Sequence, residues 1–103
     1  MDGKIYEAQA KYFKALSHPT RIKIVEYLRK NEMCVCEIFP HLGEEQSNIS
    51  RHLAALKRAG ILSSRKKGVS VYYRVQDENV FKVLELVLSF VKKVAKEKAA
   101  ILS

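Results

Sequence analysis

Cys34 and Cys36 are the only cysteines in this 103-residue chain, and a single residue separates them. Two thiolates at that spacing suit soft, thiophilic ions such as trivalent arsenic or Cu(I). On an ideal helix, residues i and i+2 point about 200° apart. Both sulfurs can therefore reach one ion only where a helix start is open or distorted. A cysteine at a helix N-terminus near Lys30 gains thiolate character, whereas Glu32 and Glu37 oppose that gain. His41, five residues on, is a candidate third ligand. The same pair could instead cycle through a strained disulfide or react with sulfur species, making a redox sensor. It could also be structural.

A second group of chemically capable residues follows in Gln46–Leu62, QSNISRHLAALKRAGIL. Ile49, Leu53 and Leu56 repeat at helical spacing and form one apolar stripe. Gln46, Ser47, Asn48, Ser50 and Arg51 lie off that stripe at the start of the helix, and all can form hydrogen bonds. A DNA recognition helix presents its first residues to base edges, where arginine suits guanine and asparagine or glutamine suits adenine. Lys57 and Arg58, late on the helix, suit phosphates. So do Arg65, Lys66 and Lys67, which a minor groove would also accept. The charge agrees. Residues 46–76 hold seven bases and no acid, while the rest of the chain holds twelve bases against eleven acids. Such segregation is the electrostatic footprint of a phosphate-binding face.

The elements that must position these groups can be read from the same sequence. A first helix is expected over 4–16. Ser17-His18 breaks it, and Pro19 opens a second helix running to about Lys30, with Ile22, Val25 and Leu28 inward. Pro40 is tolerated only in a first turn, which places the third helix from about Cys36 to Leu42, with Cys34 in the lead-in. Gly43 closes that helix. The fourth runs from about Glu45 to Ala59, and Gly60 ends it. Leu62–Val75 alternates and is rich in β-branched and aromatic residues, which predicts a hairpin with its turn at Gly68. Asp77 or Asn79 caps a last helix from about Val80 to Ala100. Its residues Phe81, Leu84, Val87, Leu88, Val91 and Val94 make a face too broad for one small chain to cover. The expected fold is mainly α with a small β-hairpin: five helices and a wing in a single winged helix-turn-helix domain over 1–103. It would dimerise through about 4–16 and 80–100.

Taken together, several segments resemble the ArsR/SmtB family of metal-responsive repressors. They are Lys14–Arg21 (KALSHPTR), Ser50-Arg51-His52-Leu53 with Leu56, Ala59-Gly60-Ile61-Leu62, and the Tyr72-Tyr73 strand. The resemblance implies a homodimer that binds double-stranded operator DNA and releases it when an effector binds. Glu32–Ile38 (EMCVCEI) is similar to that family's arsenic- and cadmium-sensing motif. Cys34 and Cys36 would then bind As(III) or another soft metal as inducer, with no permanent cofactor. Three departures stand out. Phe39 replaces the third cysteine of the arsenic site. Glu45 stands at the usual Ser/Thr cap. The last helix lacks histidine, so the zinc site of some relatives is missing. Two thiols fit monomethylated trivalent arsenic or two-coordinate Cu(I), whereas inorganic arsenite needs a third ligand from water, His41 or another subunit.

Other classes fit less well. No phosphate loop, nucleophile–base pair or catalytic zinc pattern is present, so no enzymatic activity is expected. The chain opens on a polar helix and has no membrane-length apolar run, which predicts a cytoplasmic protein with no membrane partner. An architectural DNA binder with structural cysteines would share the basic face but would bind operator and random DNA alike.

Overall fold

The computed structural model describes residues 2–102. Its elements are α1 (Gly3–Leu16), α2 (Pro19–Tyr27), β1 (Met33–Cys34), α3 (Val35–Leu42), α4 (Gln46–Arg58), β2 (Leu62–Lys67), β3 (Ser70–Val75) and α5 (Asn79–Leu102). This is the expected winged helix-turn-helix with five helices.

Local chemistry sets most of the boundaries. The Asp2 carboxylate caps α1, accepting from the Lys4 N–H at 2.8 Å. Pro19 stands at the first position of α2, where its missing N–H has no partner to lose. Helix α4 ends in a Schellman motif: the Ile61 N–H donates to the Leu56 carbonyl and the Gly60 N–H to that of Lys57, both at 3.0 Å. That geometry requires the positive φ of Gly60, +79°, which glycine adopts without steric cost. The Asp77 carboxylate accepts from the Asn79 N–H at 2.9 Å, so Asp77 is the residue that ties down the start of α5.

The core gathers where α2, α3 and α4 cross. Ile24, Val25, Ile38, Ile49, Leu53 and Leu56 are wholly buried, and Ile61, Leu62, Val80 and Phe81 close the cluster. Each such aliphatic side chain contributes about 1.5–3 kcal/mol on burial. The stripe expected on α4 is thus sealed against its own chain.

Four expectations need correction. The inward face of α2 is Ile24, Val25 and Leu28, while Ile22 is exposed. Ile22 shares the opposite side with Glu26 and Arg29, beside Leu84 and Leu88 of α5. Helix α2 also stops at Tyr27, with Leu28 as its cap. Helix α3 begins at Val35, so Pro40 lies inside it. Proline has no N–H to give the Cys36 carbonyl, and this eight-residue helix forgoes that bond. Finally, Met33 and Cys34 form a strand. They pair with Tyr73 and Tyr72 of the wing, giving an antiparallel sheet in the order β1-β3-β2.

The last helix behaves differently from the others. Val80 and Phe81 are buried, but Leu86, Val87, Leu88, Phe90, Val91 and Val94 are exposed. Ile5, Tyr6 and Phe13 of α1 are exposed too. Among the described residues, no helix is long and apolar enough to cross a membrane.

Candidate nucleic-acid interface and thiol site

Burial of Ile49, Leu53 and Leu56 turns the opposite side of α4 to solvent. Gln46, Ser47, Arg51, Lys57 and Arg58 are exposed, and Asn48 and Ser50 are half-buried. Glu45 caps the helix without a side-chain hydrogen bond, as the departure from Ser/Thr predicts. Glu44 acts instead. Its carboxylate accepts from Asn48 Nδ2 at 2.9 Å, and Asn48 Oδ1 accepts from Arg51 Nη2 at 2.6 Å. The chain of bonds orders Asn48 and Arg51 together at the entrance of the helix. Ser47, Asn48 and Arg51 line one open cleft there, with Gly43, Glu44 and Glu45.

The wing continues the basic surface. Strands β2 and β3 pair from Leu62↔Val75 to Lys67↔Ser70, leaving Gly68 and Val69 as the two-residue turn. Gly68 has φ +63°, as primed hairpin turns require. Lys66 and Lys67 are exposed beside it. Lys57 Nζ donates to Ser64 Oγ at 2.7 Å, fastening the end of α4 to β2. Arg65 does not stand free: its guanidinium pairs with the Glu32 carboxylate.

His52 turns out to be a joint between helices. Arg21 Nε donates to His52 Nδ1 at 3.0 Å, and Arg21 Nη1 donates to the Ala15 carbonyl at 3.2 Å. The His18 ring lies 5.5 Å away. Accepting at Nδ1 requires that nitrogen to be unprotonated. Partial burial holds the His52 pKa below its ordinary value, helped by the charges of Arg21, His18 and Arg51.

The thiol pair sits where β1 turns into α3. Cys34 is the helix cap, with extended backbone at φ −80° and ψ 156°. It is therefore outside the helix, and the 200° divergence does not apply. The two sulfurs meet in bonding contact across a Cα–Cα distance of 5.2 Å. Cys34 is buried and Cys36 exposed. Glu37 joins them: its carboxylate accepts from the Cys34 N–H at 3.2 Å, and the potential ligand atoms of Cys34, Cys36 and Glu37 lie within 4.8 Å of one another. His41 is not brought to this group. Its ring stacks on Tyr27, with centroids 3.8 Å apart. Phe39, in place of a third cysteine, packs against the core. The sequence reading did not place Glu37 beside both sulfurs, although Cys34-x-x-Glu37 has capping-box spacing with sulfur in place of a hydroxyl.

Two of the five candidate base-reading residues, Gln46 and Ser50, face the thiols. Together with Cys34, Cys36, Val69, Val71 and Tyr73 they line a cavity of about 330 Å³ between α3, α4 and the wing.

Comparison with known proteins agrees with this architecture. Residues 18–64 match the model of bacterial regulatory proteins of the arsR family. An uncharacterised HTH-type transcriptional regulator of Methanocaldococcus jannaschii, MJ1325, is 43% identical over 83 residues, covering 80% of this chain and 93% of that one. The arsenic resistance transcriptional regulator ArsR1 of Pseudomonas putida is 48% identical over 67 residues, or 64% of this chain and 52% of the relative. Among solved structures, the homodimeric winged helix-turn-helix DNA-binding domain Mb0332 of Mycobacterium bovis superposes with a TM-score of 0.80. It is 27% identical and covers 94% of this chain and 95% of its own. With the recognition helix, the wing and these relatives in agreement, the chain belongs to the ArsR family of winged helix-turn-helix transcriptional regulators.

Proposed function

We propose that this regulator is a homodimeric repressor that leaves its operator when a soft metal or metalloid binds Cys34 and Cys36. One observation supports this above the rest: the cavity that opens onto both cysteines is also lined by Gln46 and Ser50 of α4 and by Val69–Val71 of the wing. A change at the thiols is thereby felt on both DNA-facing elements.

The residues act as follows. Ser47, Asn48 and Arg51 read bases, and Gln46 and Ser50 join them from the thiol side. Lys57, Arg58, Arg65, Lys66 and Lys67 meet phosphates. Cys34 and Cys36 supply two soft ligands, and the Glu37 carboxylate supplies the third that arsenite needs. With arsenous acid and the reduced protein, two As–S bonds and one As–O bond to Glu37 replace the three As–OH groups. Each thiol proton leaves with a hydroxide as water, the third hydroxide leaves as water with a proton from solvent, and arsenic stays trivalent. The monomethylated form fills both remaining valences with the two sulfurs alone. When Glu37 turns toward the occupied thiols it leaves the Cys34 N–H, and the first turn of α3 loses its cap. Helix α3 packs on α4, and Ile38 and Ile49 belong to the same buried cluster, so a loosened α3 repositions the recognition helix. Allosteric couplings of this kind are typically about 1–3 kcal/mol, or 5- to 150-fold in affinity. The exposed apolar residues of α5 and α1 form the contact between the two subunits.

The test is a titration of the reduced protein on its selected duplex at fixed salt, with arsenite, methylarsenite, Cu(I), Cd(II) and a disulfide oxidant in parallel. Release by a soft ion at near-stoichiometric amounts is expected. Release by the oxidant alone would overturn the metalloid reading in favour of redox sensing.

A further inference from the structure

Of the seven bases in residues 46–76, only Arg65 is ion-paired with a carboxylate among the described residues. Its partner, Glu32, lies 33 positions away in sequence, at the turn before β1. The contact is a fork. Arg65 Nε donates to both Glu32 oxygens at 3.0 Å, and Arg65 Nη2 donates to Oε1. A phosphate group offers a guanidinium the same arrangement of paired oxygens. Arg65 also lies 6.0 Å over the Tyr72 ring, and Tyr72 is its cross-strand partner. The guanidinium is thus steadied over the sheet and closed by an acid on the side from which it would otherwise receive an anion.

Glu32 is placed to feel the whole wing. Besides Arg65, the charges of Arg74 and Lys67 act on its carboxylate. Both partners keep solvent access, with side chains 58% and 28% exposed. Such a pair is weak and exchangeable.

We propose that Glu32 is an internal stand-in for DNA phosphate, occupying Arg65 in the free protein and exchanging it for a backbone phosphate on binding. Glu32 then sets general DNA affinity without reading sequence, because exchanging one anion for another costs the free protein its pair on every duplex. This inference rests on the DNA-binding reading of the wing and is independent of the thiol reading.

The experiment uses the full-length, reduced, inducer-free protein on operator and on an unrelated duplex over a series of salt concentrations. Glu32→Gln should tighten binding to both duplexes by the same factor, about tenfold for two exposed pairs per dimer. Arg65→Ala should weaken both and reduce the slope of log K against log salt by about 0.9 for each subunit. In the Arg65→Ala background, Glu32→Gln should lose most of its effect. Three outcomes would overturn the proposal: an unchanged salt slope in Arg65→Ala, unchanged or weaker binding in Glu32→Gln, or a Glu32→Gln gain that survives the loss of Arg65. The last would make Glu32 a simple repulsive charge. Unchanged affinity for both duplexes in an Arg65→Ala/Lys66→Ala/Lys67→Ala protein would instead count against the wing as a DNA-binding element.

Discussion

Helices α4 and α5 both carry an apolar stripe, but the chain treats them in opposite ways. On α4, Ile49, Leu53 and Leu56 are completely buried; on α5, Leu88 and Val91 remain 51% and 58% exposed. A stripe sealed within its own chain holds a helix in one orientation, as a base-reading surface requires. A stripe left open needs a second surface. The first helix serves the polypeptide's own fold, and the second is available for assembly.

The contrast can be broken by mutation. Leu53→Ala should have the largest effect, destabilising the fold by about 2–5 kcal/mol through lost burial and a cavity, read as a drop in the denaturant midpoint. Val91→Glu should leave that midpoint of the monomeric fold nearly unchanged, yet yield monomers in sedimentation. Operator affinity should then fall about tenfold for each 1.4 kcal/mol of interface lost. A Val91→Glu protein that stays dimeric would contradict the assignment of α5. On the solvent side of α4, Arg51→Ala should cost about 1–3 kcal/mol on operator and less on random DNA. Equal losses on both would demote Arg51 to a phosphate contact.

The smallest effect concerns how α4 is tied to α2. His52 is held neutral in the folded chain, below its ordinary pKa of 6.5. The unfolded chain therefore binds a proton first as pH falls, and folded stability declines below about pH 6.5. This contribution is fully present above that value. His52→Gln should flatten the decline in melting temperature between neutral and mildly acidic pH, relative to the parent. An identical pH profile would mean that the Arg21–His52 bond does not carry this dependence.

The features legible in the sequence were those set by local spacing. The stripe of α4, its stop at Gly60, the turn at Gly68 and the basic wing all follow from residues a few positions apart. The missed features come from contacts distant in sequence. Strand β1 exists because Met33 and Cys34 meet Tyr73 and Tyr72, and two residues in isolation carry no strand signal. Pro40 suggested a later start for α3, but the β1 pairing and the Glu37 bond fix the start at Val35 and outweigh one missing hydrogen bond. His41 looked available as a ligand until Tyr27 stacked on it. Arg65 looked free until Glu32 reached it. Helical spacing likewise picked Ile22 for the inward face of α2, where packing on the core selects Ile24. At the thiol site, the residue types and the need for an open helix start were evident from spacing. The nearness of Glu37 was not, because its carboxylate meets the Cys34 N–H only when Cys34 takes the cap position.

In the proposed function, Cys34 and Cys36 sense the inducer without contributing to DNA binding itself. This role is tested most directly by operator affinity of the Cys34→Ser/Cys36→Ser protein, measured by fluorescence anisotropy with and without the soft ion that releases the parent. The expected result is that the double variant still binds operator without the ion and is not released when the ion is added. Release of the double variant at the parental concentration would show that the sensor lies elsewhere in the molecule.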